Sequence, residues 1–139
     1  MSDPTKTRGF LNHNPMNLEE CGIPWHGVVG RDGPYLIFDT DLHGLRAGFR
    51  DLYEAQKLHK FRTIPELVDH FAPETDGNDT AAYASSVCRY MGVNEETPVN
   101  LASLDMLKKA GCGFIRQEIG GIPYPDEILS QAALLALAN

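Results

Sequence analysis

Glu118 is the residue whose place in the sequence most favours acid–base chemistry. It follows a helical pattern and falls on the same apolar stripe as the residues Leu104, Leu107, Gly111, Phe114 and Ile115. Burial of a carboxyl group favours its uncharged form, which can act as a general acid near neutral pH. The pattern therefore predicts a partly buried acid beside the glycines that end a helix. The alternative is a helix-end Glu that turns to solvent or caps a backbone group.

Other chemistries have weaker support in the sequence. The five histidines, His13, His26, His43, His59 and His70, form no HExxH, HxH or Cys/His cluster. A Cys–His or Ser–His nucleophile pair lacks a supporting motif, and no GxGxxG or P-loop is present. We therefore predict no metal and no cofactor. Cys21, Cys88 and Cys112 are expected to be reduced and mostly buried.

Length and charge narrow the class of protein further. The chain has 139 residues, which suits a single domain, and a formal net charge of −7 without a Lys/Arg cluster. Nucleic acid is therefore not an expected partner. No apolar run is long enough to span a membrane, and the N-terminus lacks the apolar core of a signal peptide. These features predict synthesis in a cytoplasm.

The elements that must position Glu118 are mostly helical. Residues 1–8 are predicted to be a flexible polar tail and 9–139 one domain, which begins with an Asn-rich loop through Leu18. A β-hairpin is predicted at 25–30 and 35–38. Five helices are predicted at about 42–57, from Thr63 to before Pro73, from Asp79 to Met91, from Asn100 or Ser103 to Glu118, and from Pro125 onward. The fold class is therefore α+β, mostly helical, and the glycines 111 and 113 indicate close helix packing.

Several segments resemble a family of phage and prophage virion proteins that degrade murein. These segments are Arg8–Leu18, Trp25-His26-Gly27, Leu36–Thr40 and His43–Ala47. They correspond, in that order, to the family patterns R-G-I-R-N-x-N-P-x-N-I, W-x-G, F-x-x-F and G-I-R-A. The resemblance covers about residues 8–130 and implies similarity to cystovirus-like lysis enzymes. A weaker likeness to bacterial glucosaminidases implies a lysozyme-like domain. In those glucosaminidases the helix with the catalytic Glu precedes the other motifs, whereas here the Glu-bearing helix follows them. We therefore infer a circular permutation.

The resemblance implies a site that cleaves peptidoglycan glycan strands. Glu118 would be the general acid of a lysozyme or lytic transglycosylase, with Asp32 or Asp39 as the second carboxylate. The implied substrate-binding residues are Asn14, Asn17, Trp25, Tyr35 and Tyr124.

The resemblance also implies where the protein acts. It would be made in the cytoplasm of the bacterial host and be virion-associated or released to the periplasm, with other virion proteins as further partners. Gln117 and Ile119 stand where many relatives have His and Asn. The alternative is therefore a catalytically inactive virion structural or interaction protein with the same fold.

Overall fold

The computed structural model describes residues 2–138. It confirms an α+β fold that is mostly helical, with one small antiparallel hairpin. The helices are α1 (Arg8–Leu11), α2 (Asp41–His59), α3 (Ile64–Phe71), α4 (Thr80–Met91), α5 (Leu104–Ile119) and α6 (Asp126–Leu137). The strands are β1 (Val28–Asp32) and β2 (Tyr35–Phe38), and short 3-10 helices occupy Pro4–Lys6 and Glu74–Asp76. The lysozyme-like permutation stays a prediction.

The ends of the helices follow the signals in the sequence. The Thr40 hydroxyl accepts a hydrogen bond from the backbone N–H of His43 (3.2 Å) at the start of α2. Ser103 caps α5 in the same way, and Gly120 ends that helix in the left-handed conformation, with φ of 82°. The five predicted helices are confirmed, and α5 carries Glu118 in its last turn.

The N-terminal segment contains short helical turns. In the part predicted to be a polar tail, the structure has the 3-10 helix Pro4–Lys6 and the beginning of α1. The polar side chains that suggested a tail cap these turns, because Asp3 accepts a hydrogen bond from the N–H of Thr5 (2.9 Å) and Thr7 from that of Phe10 (3.3 Å). Met1 lies outside the described residues. The Asn-rich loop likewise contains α1, which makes a sixth helix.

The hairpin packs one face on the core. Leu36 and Phe38 of β2 are each 1 % exposed, whereas most residues of β1 face solvent. Before the hairpin, Leu18 accepts a hydrogen bond from the N–H of Leu36 (3.0 Å), and Glu19 forms a β-bridge with Tyr35. The Asn-rich loop is therefore held along the free edge of β2.

The helices and the Asn-rich loop approach one another closely at glycines. A Cβ atom on Gly111 of α5 would overlap the ring of Phe49 on α2, and one on Gly113 would lie 2.9 Å from Val87 of α4. Close helix packing at these glycines is therefore confirmed. On α2, a Cβ on Gly44 would overlap the carbonyl oxygen of His13. No helix within residues 2–138 is long and apolar enough to cross a membrane.

Candidate active site

The largest cavity adjoining Glu118 has a volume of about 480 Å³. It lies between the Asn-rich loop, β2 and helices α2 to α5. Its lining is rich in polar side chains, which are those of Asn17, Glu19, Tyr35, Asp51, His70, Asp76, Asn78, Tyr83 and Glu118. Its size falls in the range typical of small-molecule sites, and convergent polar groups mark it as the candidate site.

Glu118 lies in the wall of this cavity with both carboxylate oxygens engaged. Its Oε1 accepts a hydrogen bond from Asn17 Nδ2 (2.9 Å), and its Oε2 accepts one from the Tyr83 hydroxyl (3.0 Å). The side chain is partly buried, as the apolar stripe on α5 predicts. Two donors from distant parts of the chain therefore fix the orientation of this acid.

Asn17 reaches Glu118 because of its backbone conformation. Its φ of 53° is left-handed, which Asn tolerates better than most residues because its short side chain can form local hydrogen bonds. Gly9 packs beneath it, and a Cβ there would lie 3.0 Å from Asn17 Oδ1 and 2.8 Å from Ile119 Cγ2. Asn17 is thus held between the start of the chain and the end of α5.

Tyr83 is suited to its role as a donor to Glu118. Burial raises the pKa of its phenol well above the ordinary value, and the adjacent charge of Glu118 and their hydrogen bond raise it further. Tyr83 therefore keeps its proton at neutral pH, and that proton is directed at the carboxylate. Its ring packs against Phe114, with centroids 5.5 Å apart.

Glu118 also borders a second, smaller cavity of about 210 Å³. Asn17, Tyr35 and Glu118 line both spaces, and the smaller one continues along Arg8. The Arg8 guanidinium lies 5.1 Å from the centre of the Tyr35 ring. A long ligand that occupied both cavities would therefore pass directly by the carboxyl group of Glu118.

Asp51 is a cavity residue that the sequence reasoning missed. It lies on α2, and burial raises the pKa of its carboxyl to about 6. Its neighbour Arg50 turns away to Glu54 (2.8 Å) and to the carbonyl of Ala136 (2.8 Å). The sequence contains an indication of this position. Asp51 lies three residues after Gly48, on the side of α2 whose small residues pack against the Asn-rich loop. The prediction of α2 followed only its large apolar residues.

Two of the predicted substrate-binding residues have structural roles that remove them from the cavity. Asn14 is 0 % exposed; its Nδ2 donates to the carbonyls of Leu18 (3.0 Å) and Leu36 (2.9 Å), and its Oδ1 accepts from the N–H of Leu18 (2.9 Å). It therefore fixes the loop to β2. Tyr124 is 7 % exposed and packs its ring 5.7 Å from that of Phe10. Neither residue lines the cavities beside Glu118.

The predicted partner acids and Trp25 also lie outside these cavities. Asp32 pairs with Arg8 Nε (3.0 Å) and accepts a hydrogen bond from Asn12 (3.1 Å). Asp39 is exposed and bonded to His43 Nδ1 (2.7 Å), an interaction that lowers its pKa. Trp25 packs on the edge of the core. Of the predicted partners, Asn17 and Tyr35 alone line the same cavities as Glu118.

Gln117 and Ile119, which stand where the resemblance predicts His and Asn, do not line the cavities. Gln117 is exposed, and Ile119 is 2 % exposed in the core. Within the described part of the chain, no group of three or more His, Cys, Asp and Glu side chains is arranged to hold a metal ion. The site is therefore made of carboxyl, amide, phenol and imidazole groups.

Fold and site together define a small helical domain whose polar cavity, beside a hairpin, contains two partly buried acids. No protein-family model matches the chain. It is 32 % identical over 127 residues to Protein P5 of Pseudoalteromonas phage PM2, an alignment that covers 87 % of this chain and 77 % of that protein. The chain therefore belongs to the family of this phage protein.

Proposed function

We propose that this phage-family protein cleaves the glycan strands of peptidoglycan, with the scissile bond at Glu118. The observation that carries the proposal is the position of Glu118, partly buried, held by two donors and shared by two cavities. A glycan strand laid across both cavities would present a glycosidic bond to this acid. Carboxyl groups at such a bond are the usual machinery of glycoside cleavage.

The chemistry of the lining supports an uncharged, hydroxyl-rich ligand. Among the described residues 2–138, no Lys or Arg side chain lines the larger cavity, whereas Glu19, Asp51, Asp76 and Glu118 do. A phosphate or another anion would meet like charge there without a cation to bind it. Sugar hydroxyl and N-acetyl groups instead offer donors to carboxylates and pair with the amides of Asn17 and Asn78.

The family relationship and the sequence resemblance support the biological setting. Protein P5 belongs to a phage, and the motifs from Arg8 to Ala47 are similar to those of virion-associated murein-degrading proteins. A role on the virion, or in the periplasm after release, would bring the protein to peptidoglycan. The lysozyme-like, circularly permuted arrangement is part of this proposal.

The test compares purified wild-type protein with Glu118→Gln on murein sacculi. We expect turbidity to fall with the wild type and to stay nearly constant with the variant. Glu127→Gln is the matched control, because Glu127 is an exposed acid in the first turn of α6. Equal clearing by wild type and Glu118→Gln would remove Glu118 from the mechanism. Analysis of the products would distinguish a hydrolysed end from an anhydro end.

A second candidate is a non-catalytic virion or interaction protein. The net charge of −7 favours it, because peptidoglycan carries anionic groups of its own. This function predicts no clearing of sacculi by any variant and stable binding to a purified virion component. Clearing by the wild type that depends on Glu118 would exclude it.

A further inference from the structure

We propose that Asp51 is a second catalytic residue of this cavity and that it, in place of Glu118, donates the proton to the leaving sugar. The inference rests on the proposed function and assigns the roles of the two acids. Both side chains line the same space, Asp51 from α2 and Glu118 from α5. In the prediction from the sequence, Glu118 donates the proton and Asp32 or Asp39 is its partner, but both of these aspartates lie outside the cavity.

The carboxyl group of Asp51 is free to meet a ligand. Within residues 2–138 it has no hydrogen bond or ion pair, and burial is the one cause of its raised pKa. The Tyr124 hydroxyl is the sole buried side-chain polar atom without a partner in that range. The unpartnered Asp51 oxygens are therefore not sealed in the core but reach the surface of the cavity.

Glu118 is held as a hydrogen-bond acceptor by two other side chains. Its two oxygens accept hydrogen bonds from Asn17 Nδ2 and from the Tyr83 hydroxyl, and an ionised carboxylate is an acceptor at both oxygens. Asp51 has no such donors to stabilise a charge, so its protonated form is favoured. Two acids in one cavity, one held by two hydrogen-bond donors and the other without a donor, are suited to different roles.

The other groups of the cavity do not provide Asp51 with a counter-charge. Those that titrate are Glu19 of the Asn-rich loop, Cys21, Tyr35 of β2, His70 of α3, Asp76, Tyr83 of α4 and Glu118. The one base among them is His70, and burial together with the charge of His59 lowers its pKa. His70 is therefore mostly neutral at pH 7, and the remaining charges around Asp51 are negative.

In the proposed step, proton transfer from Asp51 accompanies cleavage of the glycosidic bond. Asp51 gives its proton to the glycosidic oxygen while the bond from that oxygen to the anomeric carbon breaks, and the bonding electrons stay with the leaving oxygen, which becomes a hydroxyl. Glu118 faces the positive charge that develops on the sugar. A water molecule then adds to the anomeric carbon and gives a proton to the Asp51 carboxylate, which restores the starting form.

An activated substrate separates the two roles. A dinitrophenyl glycoside of a chitin oligosaccharide has a leaving group that needs no proton, so loss of the acid matters little there. We expect Asp51→Asn to lose roughly 10²–10⁴-fold in rate on sacculi and to recover most of the wild-type rate on the activated glycoside. Glu118→Gln should be slow on both substrates, because it lacks the charge opposite the developing cation.

Three controls make each result decisive. Asp69→Asn changes an exposed acid on α3 and should match the wild type. Thermal unfolding and binding of an unreactive chitin oligosaccharide show that the Asp51 variant is folded and still takes up ligand. Wild-type rates with Asp51→Asn on sacculi, or recovery by Glu118→Gln alone, would overturn the assignment while leaving the glycan-cleaving function in place. An inactive wild type would instead overturn the proposed function and this inference with it.

Discussion

Replacement of Asp51 by Asn should change how the stability of the protein depends on pH. The ordinary pKa of an Asp is 3.8, and burial raises that of Asp51 to about 6. At about 1.4 kcal/mol per pH unit, this difference corresponds to about 3 kcal/mol of unfolding free energy. The carboxyl group is partly open to the cavity, so we expect about 2–3 kcal/mol to be realised.

The sign follows from which state binds the proton more tightly. Because the pKa of Asp51 is higher in the folded chain, folding favours proton uptake, and stability falls as the pH rises from about 4 through about 6. Above that window the folded protein holds a charged, poorly solvated carboxylate. Asp51→Asn keeps the shape of the side chain without the charge, so the variant should match the wild type near pH 4 and be more stable at pH 7.

The assay is urea unfolding of both proteins at several pH values between about 4 and about 8. Other acids titrate in both proteins, so the useful quantity is the difference in unfolding free energy between them at each pH. For a domain of this size the expected difference at pH 7 corresponds to a rise in Tm of roughly 10 °C. A difference that is constant across the pH range would refute the reasoning, because Asp51 would then be well solvated.

Three further predictions test the scaffold of the site. Asn14→Ala should lower the unfolding free energy by roughly 3 kcal/mol or more in urea titrations, because it removes three buried hydrogen bonds, two to Leu18 within the loop and one to Leu36 of β2. Gly111→Ala should lower the Tm, with a cost of about 1–3 kcal/mol, because the added methyl group overlaps the ring of Phe49. In the native protein one thiol of three, exposed Cys21, should react rapidly with a disulfide reagent, whereas burial raises the pKa of Cys112 to about 11 and keeps it unreactive until urea is added.

Matched variants show what would contradict these three predictions. Asn12→Ala removes one partly buried hydrogen bond, to Asp32, and should cost less than Asn14→Ala. Gly30→Ala places a methyl group 3.8 Å from Ile37, an ordinary contact that should be tolerated. Equal losses within either pair, or rapid labelling of more than one thiol in the folded protein, would be inconsistent with the burial described above.

The helices could be predicted because their signals are local. Thr40, Ser103 and Gly120 mark helix ends by the chemistry of single side chains, and the stripe on α5 needs only the helical period. The partly buried position of Glu118 followed from the same period. The N-terminal 3-10 helix and α1 were missed because short polar turns and a polar tail have similar composition.

The partners of Glu118 were harder to predict because they depend on packing between distant segments. Asn14 and Asn17 have the same side chain three residues apart, yet one is fully buried and the other reaches the cavity. The left-handed backbone of Asn17 and the close packing of the loop on β2 cause this difference, and neither can be predicted from the local sequence. Asp51 was overlooked for a related reason, since its burial depends on how closely the loop packs on the glycines of α2.

The hydrogen bond between Asn17 and Glu118 joins residues 101 positions apart in the chain. A contact of this sequence separation forms late, because a long loop must close before the contact contributes to stability. While the chain is being synthesised, Asn17 leaves the ribosome long before α5 exists, so the carboxyl group and its donor cannot meet until nearly the whole domain has emerged. The order of synthesis alone therefore keeps an unfinished chain from having a complete site.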